Sequence, residues 1–90
     1  MEGLKILTLN VNGLNNKTKQ LKLVDFIKMH HLDILMLQEH NLHDKDKLCK
    51  ELLDICHIHL NLAICLKGGT AILINKKLVR QFGVIVGKLQ

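Results

Sequence analysis

The sequence contains no Pro, no Trp and no Tyr, and its only aromatics besides His are Phe26 and Phe82. Large flat side chains often anchor a core, so this core has to be assembled from Leu, Ile and Val. With no Pro, turns are sought at Gly and Asn. No apolar run approaches the roughly 20 residues needed to cross a bilayer. The opening, Met1-Glu2-Gly3-Leu4-Lys5, has no basic segment leading into a long apolar stretch, so it does not read as an export signal. A cytosolic or nuclear protein without a membrane partner is expected. Cysteines number three, an odd count, and reduced, mostly buried thiols are the default reading.

Positive charge is in excess. Thirteen Lys and Arg stand against eight Asp and Glu, a net charge of +5. That balance suits an anionic partner such as nucleic acid; the plain alternative is a basic, soluble surface. Ninety residues make at most one small domain, and a chain this short buries only roughly 60–65% of the surface its unfolded form exposes.

The apolar period changes along the chain. Leu4 to Val11 is strand-like and ends in Asn10-Val11-Asn12-Gly13. Asn15 and Asn16 read as a turn and helix cap. From Thr18 to about His30, Leu21, Val24 and Ile27 recur at spacing three, widened by Leu23 and Phe26, with Lys19, Lys22 and Lys28 toward water. Asp33 to Glu39 is a short apolar run suited to a buried strand. Asp44 or Asp46 opens a second helix, with Leu48, Cys49, Leu52, Leu53 and Cys56 along one side. The period then becomes two. Ile58, Leu60, Leu62, Ile64 and Leu66 alternate with His57, His59, Asn61, Ala63 and Cys65. Gly68-Gly69 follows as a tight turn, Thr70 to Ile74 as the return strand, and Phe82 to Val86 as a final strand. The expected order is β-α-β-α-β-β-β, an α/β layered architecture, with the first two strands parallel.

Chemistry is expected at one sheet edge. If strands one and two are parallel neighbours, Asn10 and Asn12 meet Gln38 and Glu39 at the carboxyl ends, where ligands of open α/β sheets bind. A carboxylate there can hold Mg²⁺, which prefers oxygen ligands, and an amide can bond a phosphate oxygen. Asn and Glu at two strand ends are otherwise simply residues leaving a sheet for solvent.

Three segments in order sharpen this. Leu7-Thr8-Leu9-Asn10-Val11-Asn12-Gly13-Leu14 resembles the opening motif of the endonuclease/exonuclease/phosphatase superfamily. Asp33-Ile34-Leu35-Met36-Leu37-Gln38-Glu39 is similar to its second motif. Gly68-Gly69-Thr70-Ala71-Ile72-Leu73-Ile74 looks like its Gly-led core strand. Within the superfamily the pattern is most like LINE-type retrotransposon endonucleases. The resemblance implies the N-terminal portion of a layered α/β sandwich, with residues 1–90 an incomplete domain. It implies Glu39 as Mg²⁺ ligand, Asn10 as the active-site Asn contacting phosphate, Asn12 near the metal, and Gln38 in support. DNA is the implied partner, and phosphodiester hydrolysis the implied reaction. The superfamily's Gly-Asp-x-Asn segment and final Asp-His pair, which supply the base and the catalytic His, are not in this sequence. The resemblance therefore implies a further C-terminal half, which in LINE-type elements can be followed by a reverse transcriptase, and predicts that these 90 residues alone do not cleave DNA. His40 stands where relatives usually carry Thr, and is expected either to crowd the metal or to add a titratable group beside it.

Other patterns carry less. His40, His43, Cys49, Cys56, His57, His59 and Cys65 include no Cys-x₂-Cys pair, so zinc is not favoured. Gly68-Gly69 lacks the Lys-Ser/Thr of a phosphate loop. Lys17, Lys19, Lys22 and Lys28 are either a nucleic-acid patch or a solvated helix face. The competing functional class is a non-catalytic, decayed element product, at most a weak nucleic-acid-binding module.

Overall fold

The computed structural model describes residues 3–64 and 66–82. A four-stranded mixed sheet carries two helices on one face. Strand β1 (Ile6–Asn10) leads to helix α1 (Lys17–His30) and strand β2 (Ile34–Gln38). A 3₁₀ turn (Lys45–Lys47), helix α2 (Lys50–Ile55), strands β3 (Cys56–Asn61) and β4 (Thr70–Asn75), and helix α3 (Lys76–Phe82) follow. The spatial order is β1-β2-β4-β3. β1 and β2 are parallel, as the intervening helix requires, and β4 inserts antiparallel between β2 and β3.

Local chemistry sets the element ends. Asn16 caps α1, its side-chain oxygen accepting from the Thr18 N–H at 2.7 Å. The helix stops at His31, whose left-handed backbone (φ 50°) lets its N–H return to the last-turn carbonyls. Asp44 caps the 3₁₀ turn through the Asp46 N–H. Asn75 accepts from the Lys77 N–H at 2.9 Å, opening α3, while its amide donates to the Leu32 carbonyl at 3.1 Å.

The core lies between the helices and one sheet face. Leu23, Val24 and Ile27 of α1 and Leu52 of α2 pack on Leu35, Leu37, Ala71 and Leu73, with Leu14 and Leu42 closing the loop end. Gln20 is buried among them. Its amide nitrogen donates to the Leu14 and Lys47 carbonyls, both at 2.8 Å, and its oxygen accepts from the Cys49 N–H at 2.6 Å. One polar side chain thus ties α1 to the loop after β1 and to the start of α2.

The other sheet face is uncovered by the described residues. Strand register arranges it in three rows. Ile6, Ile34, Ile74 and His57 form one, and Thr8, Met36, Ile72 and His59 the next. Asn10, Gln38, Thr70 and Asn61 form the last, wholly polar row. Polarity therefore rises toward the carboxyl ends of β1 and β2.

Several expectations need correction. The alternation predicted through Leu66 ends as a strand at Asn61. Beyond it the phase reverses: Ala63 is buried and its N–H bonds the Leu42 carbonyl at 2.8 Å, while Ile64 and Leu66 are 97% and 91% exposed. Strand length is limited by the partner, and β4 has no residue opposite Leu62. Gly68-Gly69 is not a two-residue turn but the last part of a longer β3–β4 connection. Leu53 points outward, 44% exposed, because α2 is a single short helix whose buried side is Leu52. Phe82, expected to start a strand, ends α3; the rest of that predicted strand lies outside the described residues. No helix among the described residues is long and apolar enough to cross a membrane.

Candidate active site

Asn10 and Gln38 are register partners at the carboxyl ends of adjacent parallel strands, and Glu39 is the next residue along β2. The two strand exits stay joined beyond the sheet. The Val11 N–H donates to the Gln38 carbonyl (3.0 Å), Gly13 to Glu39 (2.7 Å) and Leu14 to His40 (2.8 Å). The sequence thus brings Asn10, Asn12, Gln38 and Glu39 to one edge, although Gln38 lies 28 positions after Asn10.

The edge is made of unusual backbone. Asn12 (φ 49°), Glu39 (φ 56°) and Asn41 (φ 59°) are left-handed non-glycine residues, and Gly13, Gly68 and Gly69 also have positive φ. Each such non-glycine residue costs about 1–3 kcal/mol and persists only when its surroundings over-determine it. Here they do. Asn41 donates its N–H to the Gly68 carbonyl and accepts from the Gly68 N–H on its side-chain oxygen, both at 2.8 Å. Asn15 donates to the Asn41 carbonyl at 3.3 Å.

Asn10 is exposed, and its oxygen accepts from the Asn12 N–H at 3.0 Å. With the oxygen so engaged, the amide nitrogen is the group left to donate, which suits an anionic oxygen. Asn12 is exposed, and its carbonyl receives the Lys19 ammonium at 3.1 Å. The helical reading gave Lys19 to open water; the structure instead holds this cation against the candidate site. Glu39 is half-buried, and its carboxylate makes no ion pair among the described residues, where the single ion pair is the exposed Lys17–Glu51 contact at 3.8 Å.

As donors for Mg²⁺ these residues offer one carboxylate, Glu39, and neighbouring amide oxygens. A hard cation that keeps much of its water accepts such a set, though one carboxylate holds it weakly. No group of three His, Cys, Asp or Glu among the described residues is arranged to hold a metal. A cleft of about 470 Å³ lies at the other end of the sheet, between Lys28, Asp33, Asp54, Lys76 and Arg80, away from the strand ends discussed here.

His40 departs from expectation. It neither crowds the metal edge nor stands as an accessible base, for it is 0% exposed. Its Nδ1 accepts from the Leu42 N–H at 2.8 Å, which leaves Nε2 to carry the proton and donate to the Asn61 carbonyl at 2.8 Å and the Thr70 carbonyl at 3.2 Å. The ring lies on Gly69, where any Cβ would sit 2.3 Å from its Cε1. Gly69 is restricted by this contact and by its positive φ, whereas Gly68 has open space around it and only its positive φ favours glycine.

Cys56, at the start of β3, is a buried thiol pushed up to about 11 by burial, with Lys76 opposing the shift. It is no nucleophile at neutral pH.

The polar row and the doubled strand exits frame the comparison with known proteins. No significant match was found among curated proteins. Among solved structures, the chain is similar to an AP endonuclease from Archaeoglobus fulgidus, 22% identical with a TM-score of 0.65 over 80% of this chain. The match spans 27% of that chain. At such identity the likeness concerns the fold. The sequence profile described as the Endonuclease/Exonuclease/phosphatase family matches residues 7–88. With that profile running over most of its length, the chain belongs to the Endonuclease/Exonuclease/phosphatase family.

Proposed function

We propose that this chain provides the phosphate- and metal-binding strand ends of a Mg²⁺-dependent endonuclease acting on DNA, most like the target-nicking endonuclease of LINE-type retrotransposons. One observation carries the reading: two parallel strands present Asn10, Gln38 and Glu39 at a common edge built from left-handed backbone. Glu39 is the residue that would hold Mg²⁺. Bound there, the ion would neutralise charge on the phosphate and the leaving oxygen. The amide nitrogen of Asn10 donates to a phosphate oxygen. Lys19, held at the Asn12 carbonyl, adds positive charge for the nucleic-acid backbone. Gln38, beside Asn10 in the polar row, supports the same surface, and Asn12 shapes it through its N–H.

None of these residues activates water. His40, the nearest titratable ring, is fully committed to backbone partners. The test is nicking of supercoiled plasmid by the 90-residue chain and by a version continued through the family's Gly-Asp-x-Asn and Asp-His motifs. The short chain should be inactive, and the longer one should nick with Mg²⁺ and fail as Glu39→Ala. Nicking by neither version favours a binding-only product. Mg²⁺-dependent nicking by the longer chain that survives Glu39→Ala refutes the metal assignment.

A further inference from the structure

We propose that His40 is a positioning residue that fixes the backbone of Glu39, and through it the direction of the carboxylate. The proposal rests on the reading of Glu39 as the metal ligand. Glu39 and Asn41 are both left-handed, and His40 lies between them. Such a run relaxes to ordinary extended backbone unless something holds it. The β1 exit holds one side, through the Gly13 and Leu14 N–H groups. On the other side, Asn41 is paired to Gly68, and the His40 ring adds the bonds nearest to Glu39.

That ring joins three segments. Nδ1 binds the Leu42 N–H two residues ahead, which curls the loop after β2 back on itself. Nε2 binds the carbonyls of Asn61 and Thr70, the facing ends of β3 and β4. The His40 backbone N–H also reaches the Gly69 carbonyl, at 3.4 Å. An imidazole is suited to this task, because its neutral form presents a donor and an acceptor on opposite sides of one rigid plane. Gly69 is the other half of the device. A Cβ there would lie 2.6 Å from Nε2 and 3.0 Å from the Asn61 carbonyl oxygen, in the space the ring and its bond occupy. No charged residue takes part, so the clasp works by geometry alone.

NMR on the 90-residue chain tests this in two independent arms. In the wild-type chain, the His40 ring should show a protonated Nε2 in slow exchange and an unprotonated Nδ1. The opposite tautomer, or a ring proton lost to solvent at once, overturns the clasp without any variant. In His40→Phe, which keeps a flat, somewhat larger aromatic ring and removes both nitrogens, the Glu39 carbon shifts and Hα–HN contacts should lose their left-handed signature, while β2–β4 amides stay protected. A Glu39 backbone that remains left-handed overturns the proposal; if the variant unfolds, the wild-type tautomer decides. Mn²⁺ then separates this idea from the one beneath it. Wild-type broadening centred on Glu39, weakened about tenfold in affinity by His40→Phe, supports positioning of the ligand. Broadening absent from Glu39 in the wild-type chain refutes the metal reading, and the backbone arm still decides the role of His40. Undiminished Mn²⁺ affinity in a folded His40→Phe chain refutes positioning.

Discussion

Replacing Gln20 by Leu should weaken the fold even though it makes the core more apolar. Gln20 is 1% exposed, and every polar atom of its amide is matched to a backbone group. The variant leaves three such groups without that partner. The Leu14 carbonyl bond is fully buried, and losing its partner there costs about 1–3 kcal/mol. The Lys47 carbonyl and Cys49 N–H are only partly buried, so water recovers some of the loss, leaving about 0.5–1.5 kcal/mol each. Burying the added apolar surface returns about 1–2 kcal/mol. The net is a loss of about 2 kcal/mol, which for a domain of this size corresponds to roughly 8–16 °C in melting temperature. Urea unfolding followed by far-ultraviolet circular dichroism measures it, with Lys22→Ala on the exposed side of α1 as a control that should move stability by less than about 0.5 kcal/mol. A Gln20→Leu chain as stable as the parent would show that the amide is dispensable and that the bookkeeping of its three bonds is wrong.

Gly69→Ala should destabilise by about 2–4 kcal/mol, combining left-handed strain with displacement of the His40 ring. Part of that cost should vanish in a His40→Ala background, and strict additivity in the double-mutant cycle would deny the contact. Asn75→Ala should cost about 1 kcal/mol in thermal unfolding by uncapping α3, whereas no change would mean the Lys77 N–H finds water as readily. At pH 8 a thiol with a pKa of about 11 is thiolate in about one molecule per thousand. Iodoacetamide should therefore reach Cys49 well before Cys56 in peptide mass maps, and equal rates would contradict the burial. Calorimetry should find weak Mg²⁺ binding that Glu39→Gln removes; a tight site surviving that change would place the metal elsewhere.

What the sequence disclosed, and what it withheld, follows from the range of the interactions involved. β1, α1 and β2 were legible because their apolar periods are local, and Asn16 announces its cap by residue type alone. The meeting of Asn10 with Gln38 and Glu39 was legible from the strand–helix–strand order, conditional on the two strands being neighbours, and the motif resemblance supplied the roles that spacing does not reveal. Alternation carried the third strand too far, because Leu62 to Leu66 keep the period while Ala63 turns to pair with Leu42. Helix α3 has seven residues, too few for a periodic signal. The burial of Gln20 and His40 could not be read at all. Each is polar, and each is inside because of backbone groups supplied by distant loops.

The insertion of β4 between β2 and β3 also governs when the candidate site can exist. β2 pairs with residues 32 to 40 positions downstream, from Gln38↔Thr70 to Ile34↔Ile74. Contacts of that separation form slowly, after the local turns and helices. During synthesis, Glu39 leaves the ribosome with only the β1 exit to hold its left-handed geometry, because Gly68, Gly69 and Thr70 have yet to emerge. For the interval in which roughly thirty more residues are made, at about 5–20 residues per second, β2 is an apolar strand with one side unpaired. The candidate edge is therefore among the last features to mature, and a nascent chain ending before residue 75 should hold the Asn10 and Glu39 segments without their arrangement.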